Sequence, residues 1–118
     1  MKKRYVFVYG TLKQGRGNHR LLKSSTYVGE GITKKKYIMF KLGIPYVSEK
    51  QEHSNIQGEI YKVTPSVMRK LDLLEGHPNW YYRKVVDIVL NDGKEKSAYI
   101  YFNNSMNGSS LVVNNGVY

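Results

Sequence analysis

The most regular pattern in the chain lies between residues 64 and 78. Val67, Leu71 and Leu74 recur at i, i+4 and i+7, with Met68 widening the stripe, which predicts an amphipathic helix. Thr64 is placed to cap it, and Pro65 suits the first helical position, where a missing N–H costs nothing. Gly76 stands where a left-handed terminator is expected, and Pro78 prevents continuation.

The other patterned segments read as strands. Tyr5 to Tyr9 is wholly apolar or aromatic and predicts a central strand buried on both faces. Gly10 to Gly17 holds three glycines in eight residues and predicts a loop. Asn18 is a candidate cap for a short helix through Leu22. Tyr27 to Ser48 predicts two or three strands, with turn signals at Gly29, Gly31, Lys34 to Lys36, Gly43 and Pro45. Glu49 to Asn55 is a polar loop, and Ile56 to Val63 alternates as a strand does. Arg83 to Leu90 and Lys96 to Phe102 flank Asn91-Asp92-Gly93, a hairpin turn sequence. A mobile tail is expected from about residue 103, where Asn, Ser and Gly dominate, with Leu111-Val112-Val113 free to dock or pair. Helices do not alternate with strands, so the fold class is α+β: a mixed, mostly antiparallel sheet able to curl into a barrel, with one main helix and one or two short flanking helices. No repeat or linker divides the chain, and residues 1–118 read as a single domain.

Composition narrows the function classes. The 118 residues are 41% hydrophobic and 24% charged, the balance of an ordinary globular protein, which excludes wholesale disorder, collagen and coiled coil. No apolar run approaches the roughly 20 residues of a membrane-spanning helix. Lys2-Lys3-Arg4 could open a signal peptide, but the apolar stretch behind it ends at Gly10, short of the roughly 7–15 residues required. There is no cysteine, hence no disulfide, thiol nucleophile or Cys-based zinc site; the expected compartment is the cytoplasm. Nineteen basic against nine acidic residues give a net charge of +10, a field that attracts anions of any kind. Basic residues interleaved with eleven tyrosines leave nucleic acid open as a partner. A solvated basic surface over a Tyr-rich β core is the favoured reading.

Candidate chemistry is sparse. The loop from Gly10 to Gly17 has the Gly10–Gly15 spacing of a P-loop, but Arg16-Gly17 replaces the required Lys-Ser/Thr. A dinucleotide fingerprint fails because Arg20 occupies the place of the third glycine. What remains is a flexible connection or an anion-holding loop at the end of a rigid strand. Among the acids, Glu30, Glu59 and Asp87 fall in strands and are able to face outward, and Asp72 lies one step off the helical stripe. Glu75 differs. It sits in the last helical turn, at the negative end of the helix dipole, beside leucines. Partial burial there would raise its pKa and suit it to proton transfer near neutral pH. The alternative is an exposed helix-end glutamate. His19, His53 and His77 are dispersed without metal spacing, and no Gly-x-Ser-x-Gly elbow exists. No metal or cofactor is expected.

Several segments, in order, carry a resemblance. Val6-Phe7-Val8-Tyr9-Gly10-Thr11-Leu12-Lys13, then Gly17-Asn18-His19-Arg20, resembles the opening of the γ-glutamylcyclotransferase-like superfamily, with its γ-glutamylamine cyclotransferase branch most similar. Gly43-Ile44-Pro45-Tyr46 resembles its Pro-aromatic strand, and Gln57 to Val63 its Gly-Glu-x-Tyr-x-Val strand. Leu71-Asp72-Leu73-Leu74-Glu75 resembles the helix ending in the catalytic glutamate. Pro78 and Tyr81-Tyr82-Arg83 resemble the Tyr-x-Arg start of the next strand. The likeness spans about residues 5 to 102. It implies a mixed β-barrel with a cavity, Glu75 as acid/base, and Tyr9, Gly10, Thr11 and Leu12 holding the glutamyl end of a small γ-glutamyl substrate. Tyr81 and Tyr101 are secondary candidates for lining the cavity, with a core role as the alternative. Arg83 is expected to pair with a carboxylate and fix its strand. The implied reaction releases 5-oxoproline and a free amine without a cofactor. A fold-retaining enzyme acting on a different amide, and a non-catalytic module holding an acidic or nucleic-acid partner, are the competing readings. The leaving amine and the oligomeric state are not specified by these residues.

Overall fold

A computed structural model describes residues 4–118 except 11, 18, 43, 105–110 and 114. Among the described residues, eight strands, one α-helix and one 3₁₀-helix follow in the order β1 (Arg4–Val8), 3₁₀-helix (His19–Leu22), β2 (Thr26–Thr33), β3 (Ile38–Leu42), β4 (Ile44–Ser48), β5 (Gln57–Val63), α1 (Pro65–Glu75), β6 (Tyr82–Leu90), β7 (Glu95–Phe102) and β8 (Leu111–Val113). Five strands close into a barrel in the order β1-β5-β2-β6-β7, and β4-β3-β8 form a second sheet. The fold is mixed α+β. Every barrel pairing is antiparallel except β1 with β7, which runs parallel through Val6 and Tyr99. No helix among the described residues is long and apolar enough to cross a membrane.

The all-apolar β1 is explained by two cores. Val6 and Val8 join Tyr61 and Val63 of β5 on the face covered by Val67, Met68 and Leu71 of α1 and Leu22 of the 3₁₀-helix. Phe7, on the opposite face, packs with Ile60, Ile88, Ala98 and Ile100 inside the barrel. Alternating side chains therefore meet apolar partners on both sides. Burying a side chain such as Leu71 contributes about 1.5–3 kcal/mol.

The helix has the expected ends. The Thr64 hydroxyl accepts from Val67 N–H at 3.2 Å. Gly76 adopts the left-handed conformation (φ 66°, ψ 36°), which a residue without a Cβ enters most cheaply. This sharp stop leaves Glu75 as the last helical residue. The next five residues, containing a cis His77–Pro78 peptide, lead to Tyr81 and β6.

Three sequence expectations change. Gly29 and Gly31 are not turns: both lie within β2, where the pairing with β5 shifts register between Tyr27 and Gly29, a bulge that bends the strand around the barrel. Glu59 does not face outward. It is 9% exposed, because its strand β5 is flanked by β1 and β2 and overlaid by the loop after β1. The region expected as a mobile tail carries defined pairings in its described parts. Asn103 N–H donates to Val47 O, β8 pairs with β3, and Gln57 N–H donates to Gly116 O. Residues 105–110 lie outside the described residues.

Candidate active site

The end of β1, the end of α1 and the chain between α1 and β6 meet around a cavity of about 130 Å3. That is small against the ~300–1,000 Å3 of drug-sized ligand sites. Phe7 to Gly10 and Leu12 line it from the end of β1, and Leu74 and Glu75 from the end of α1. Tyr81 and Trp80 arrive from the chain after α1, Tyr101 from β7 and Pro45 from β4.

The loop after β1 is held in place by its own chemistry. Lys13 N–H donates to Gly10 O at 3.0 Å, closing a turn. Gln14 N–H donates to Glu59 Oε1 at 2.9 Å, and the Tyr61 hydroxyl donates to the same oxygen at 2.9 Å. His19 Nδ1 reaches Leu12 O at 3.0 Å, which requires the proton on Nδ1 because a carbonyl only accepts. Gly10 is needed for contact rather than for conformation: a Cβ there would lie 2.8 Å from Pro45 Cγ, inside the cavity wall.

Glu75 is partly buried on this wall. Withdrawal from water raises its pKa from the usual 4.5 to about 7, since burial penalises the charged form. One helical turn earlier, Asp72 moves the other way. Burial alone would raise its pKa, but Arg83 and Tyr101 outweigh that and hold it below the usual range. Arg83 grips Asp72 with two bonds, Nε to Oδ1 at 2.8 Å and an η nitrogen to Oδ2 at 3.2 Å. The Tyr101 hydroxyl donates to Asp72 Oδ1 at 2.6 Å. The Tyr9 hydroxyl donates to Tyr101 O at 2.7 Å and that of Tyr81 to Pro45 O at 3.2 Å. Burial raises the pKa of Tyr9, Tyr81 and Tyr101, and the Glu75 charge adds to it in all three. These phenols are neutral at pH 7, which leaves Glu75 as the group on this wall that can exchange a proton there. Among the described residues no three His, Asp or Glu side chains cluster as a metal site.

The comparisons bear on this arrangement. Residues 6–118 match the model of the family described as "Gamma-glutamyl cyclotransferase, AIG2-like". The chain belongs to this family. A putative γ-glutamylcyclotransferase of Methanocaldococcus jannaschii is 50% identical over 99 residues, 83% of this chain and 82% of that one. Human γ-glutamylaminecyclotransferase is 33% identical over 102 residues, 79% of this chain and 67% of that protein. The crystal structure of an AIG2-like protein from Mus musculus superposes with a TM-score of 0.87 at 25% identity, covering 100% of this chain and 89% of that one.

Within this γ-glutamylcyclotransferase fold, six of the seven residues singled out from the sequence share the cavity: Glu75, Tyr9, Gly10, Leu12, Tyr81 and Tyr101. Thr11 lies outside the described residues. Arg83 pairs with a carboxylate as expected, and its partner is Asp72. Sequence reading missed three contributors. Glu59 anchors the glycine loop, and its signal was the continuous apolar run of β1 beside it, which implies a covered neighbour. Asp72 holds Tyr101; its spacing of three from Glu75 puts both on one helical face. Trp80, 52% exposed, forms the rim with Tyr46 and Tyr81, whose rings stack at 5.7 Å, and no local pattern announces it. Several of the interleaved basic residues lie over tyrosine rings of the same chain: Lys62 and Lys96 over Tyr5, and Arg4 and Arg83 over Tyr99.

Proposed function

We propose that the protein is a γ-glutamylamine cyclotransferase that closes the glutamyl group of a γ-glutamyl amide into 5-oxoproline and releases the amine. The observation that carries this reading is Glu75, a carboxylate with a pKa of about 7 lining a small cavity together with Gly10 and Leu12.

The substrate brings its own nucleophile. Glu75 takes a proton from the α-ammonium, and the freed amine attacks the γ-carbonyl carbon. The new C–N bond closes a five-membered ring, and the old amide C–N bond breaks as the tetrahedral intermediate collapses. Of the three ammonium protons, one stays on the lactam nitrogen and two end on the departing ammonium, with Glu75 as carrier. Attack within one molecule makes the folded substrate conformation the main requirement, and a small cavity favours it. Backbone N–H groups of the Gly10–Leu12 loop serve the α-carboxylate or the developing oxyanion.

The test is a panel of γ-glutamyl amines with 5-oxoproline as the readout. Turnover by the wild type that is lost in Glu75→Gln supports the proposal. A Glu75→Gln enzyme as active as the wild type overturns the assigned base.

A further inference from the structure

The protons of two cavity tyrosines are committed to acceptors within the protein. The Tyr101 hydroxyl donates to Asp72 Oδ1 at 2.6 Å, and that of Tyr81 to Pro45 O at 3.2 Å. A phenol has one proton and two acceptor lone pairs. A carbonyl oxygen can only accept, and so can an ionised carboxylate, so the partners fix where each proton lies. Asp72 is kept ionised by the two-pronged grip of Arg83. Tyr9 differs, since its hydroxyl donates to Tyr101 O while the Val47 backbone amide holds its oxygen. Both of its functions are used within the protein. What Tyr81 and Tyr101 have left for a ligand is lone pairs.

Glu75 adds a carboxylate to the same cavity. No group among the described residues donates a hydrogen bond to that carboxylate, and burial alone accounts for its behaviour. Tyr81 and Tyr101 line the same cavity as Glu75, and both feel its charge. Tyr81, Tyr101 and Glu75 thus offer acceptors to the cavity. An anion beside them would meet repulsion. A primary ammonium, with three N–H donors and no acceptor, is the matching group.

We propose that Tyr81, Tyr101 and Glu75 form a seat for a primary ammonium group, and that Asp72 is the positioning residue that holds Tyr101 in its acceptor-only state. The proposal rests on the functional reading above and deepens it. It assigns the tyrosines to the α-ammonium of the γ-glutamyl group and leaves the α-carboxylate and the carbonyl oxygen to the β1 loop.

The test uses two unreactive ligands that differ by the amine alone, L-glutamate and glutarate, titrated into the full-length protein by NMR at pH 8. The wild type is expected to bind glutamate about tenfold or more tightly than glutarate, the scale of charge-assisted hydrogen bonds. In Tyr101→Phe and in Tyr81→Phe that preference falls several-fold, while glutarate binds as before. Should one variant fail to fold, the other carries the same test. A wild type without the preference, or folded variants that keep it in full, overturns the seat. Equal weakening of both ligands also overturns it, because the hydroxyls would then be donating to an anion. For Asp72, the readout is coupling: Asp72→Leu lowers the preference, and adding Tyr101→Phe to it changes nothing further. Simple addition of the two effects rejects the positioning role. These results are separable from the reaction itself. A protein that prefers glutamate yet forms no 5-oxoproline from any γ-glutamyl amine retains the seat and loses the function proposed above.

Discussion

Asp72 and Glu75 stand three residues apart on one helix, and their surroundings drive them in opposite directions. Asp72 is about one-fifth exposed and has a guanidinium and a phenol hydroxyl bonded to it. Its charge is matched, and its pKa falls. Glu75 faces a cavity of tyrosine rings, a proline and leucines, with burial as its dominant influence, and its pKa rises to about 7. Burial by itself does not make a proton carrier. Burial without a compensating donor raises a carboxyl pKa toward neutrality, burial with donors does not, and the helix supplies both cases within one turn. The matched carboxylate acts as a structural pin between α1, β6 and β7, and the unmatched one is free for chemistry.

The strongest way to break this contrast is Glu75→Gln. The proposed mechanism predicts a loss of about 10²- to 10⁴-fold in 5-oxoproline formation, together with weaker substrate binding because the ammonium loses its carboxylate partner. Asp72→Ala should act chiefly on stability. It strands Arg83 and Tyr101 in a mostly buried site and is expected to cost about 2 kcal/mol in urea unfolding. A melting curve unchanged by Asp72→Ala would remove the structural half of the comparison.

pH separates the pair further. Glu75 must be ionised to act as a base, so kcat/KM should climb with pH and level off above about 7. The same group makes the fold sensitive to pH. Its folded-state pKa exceeds the usual 4.5, so the native state holds the extra proton. Stability is therefore greatest below pH 4.5 as far as this group is concerned. It is lost as pH rises to about 7, by on the order of 3 kcal/mol. The wild type should fall behind Glu75→Gln across that window, as followed by paired unfolding curves at pH 5 and 8. Asp72 has the opposite sign, contributing at neutral pH and losing its contribution on acidification. The smallest effect sharpens the comparison as a control. Thr64→Ala removes the cap at the far end of the same helix and should cost about 1 kcal/mol of stability. Turnover should be unaltered, because neither carboxylate is disturbed.

How far the sequence can be read depends on the range of the interactions involved. The limits of α1 were legible because Thr64, Pro65 and Gly76 act within one turn of themselves. The β6–β7 hairpin was legible because the turn at Asn91-Asp92-Gly93 closes locally, with Gly93 N–H on Leu90 O and Leu90 N–H on Lys94 O. Gly29 and Gly31 misled, since glycine serves a bulge in a curved strand as readily as a turn. Glu59 misled because a charged residue in a strand looks outward until the overlying loop is known. The family motifs named most of the cavity residues, but they carried no information on which hydroxyl proton points where.

Residue order alone set the helix ends, the apolar character of β1, the hairpin and the placement of an acid in the last helical turn, all of which follow from neighbours a few positions apart. Closure of the barrel decided the rest. It brought β1 and β7 together in parallel across more than ninety positions of chain, set Tyr101 against Asp72 across 29, and left Glu75 facing a hollow. Those outcomes depend on which groups are shielded from water together. Solvation and hydrogen-bond matching are properties of a folded neighbourhood and not of a segment, and so the opposite shifts of Asp72 and Glu75 were decided in three dimensions.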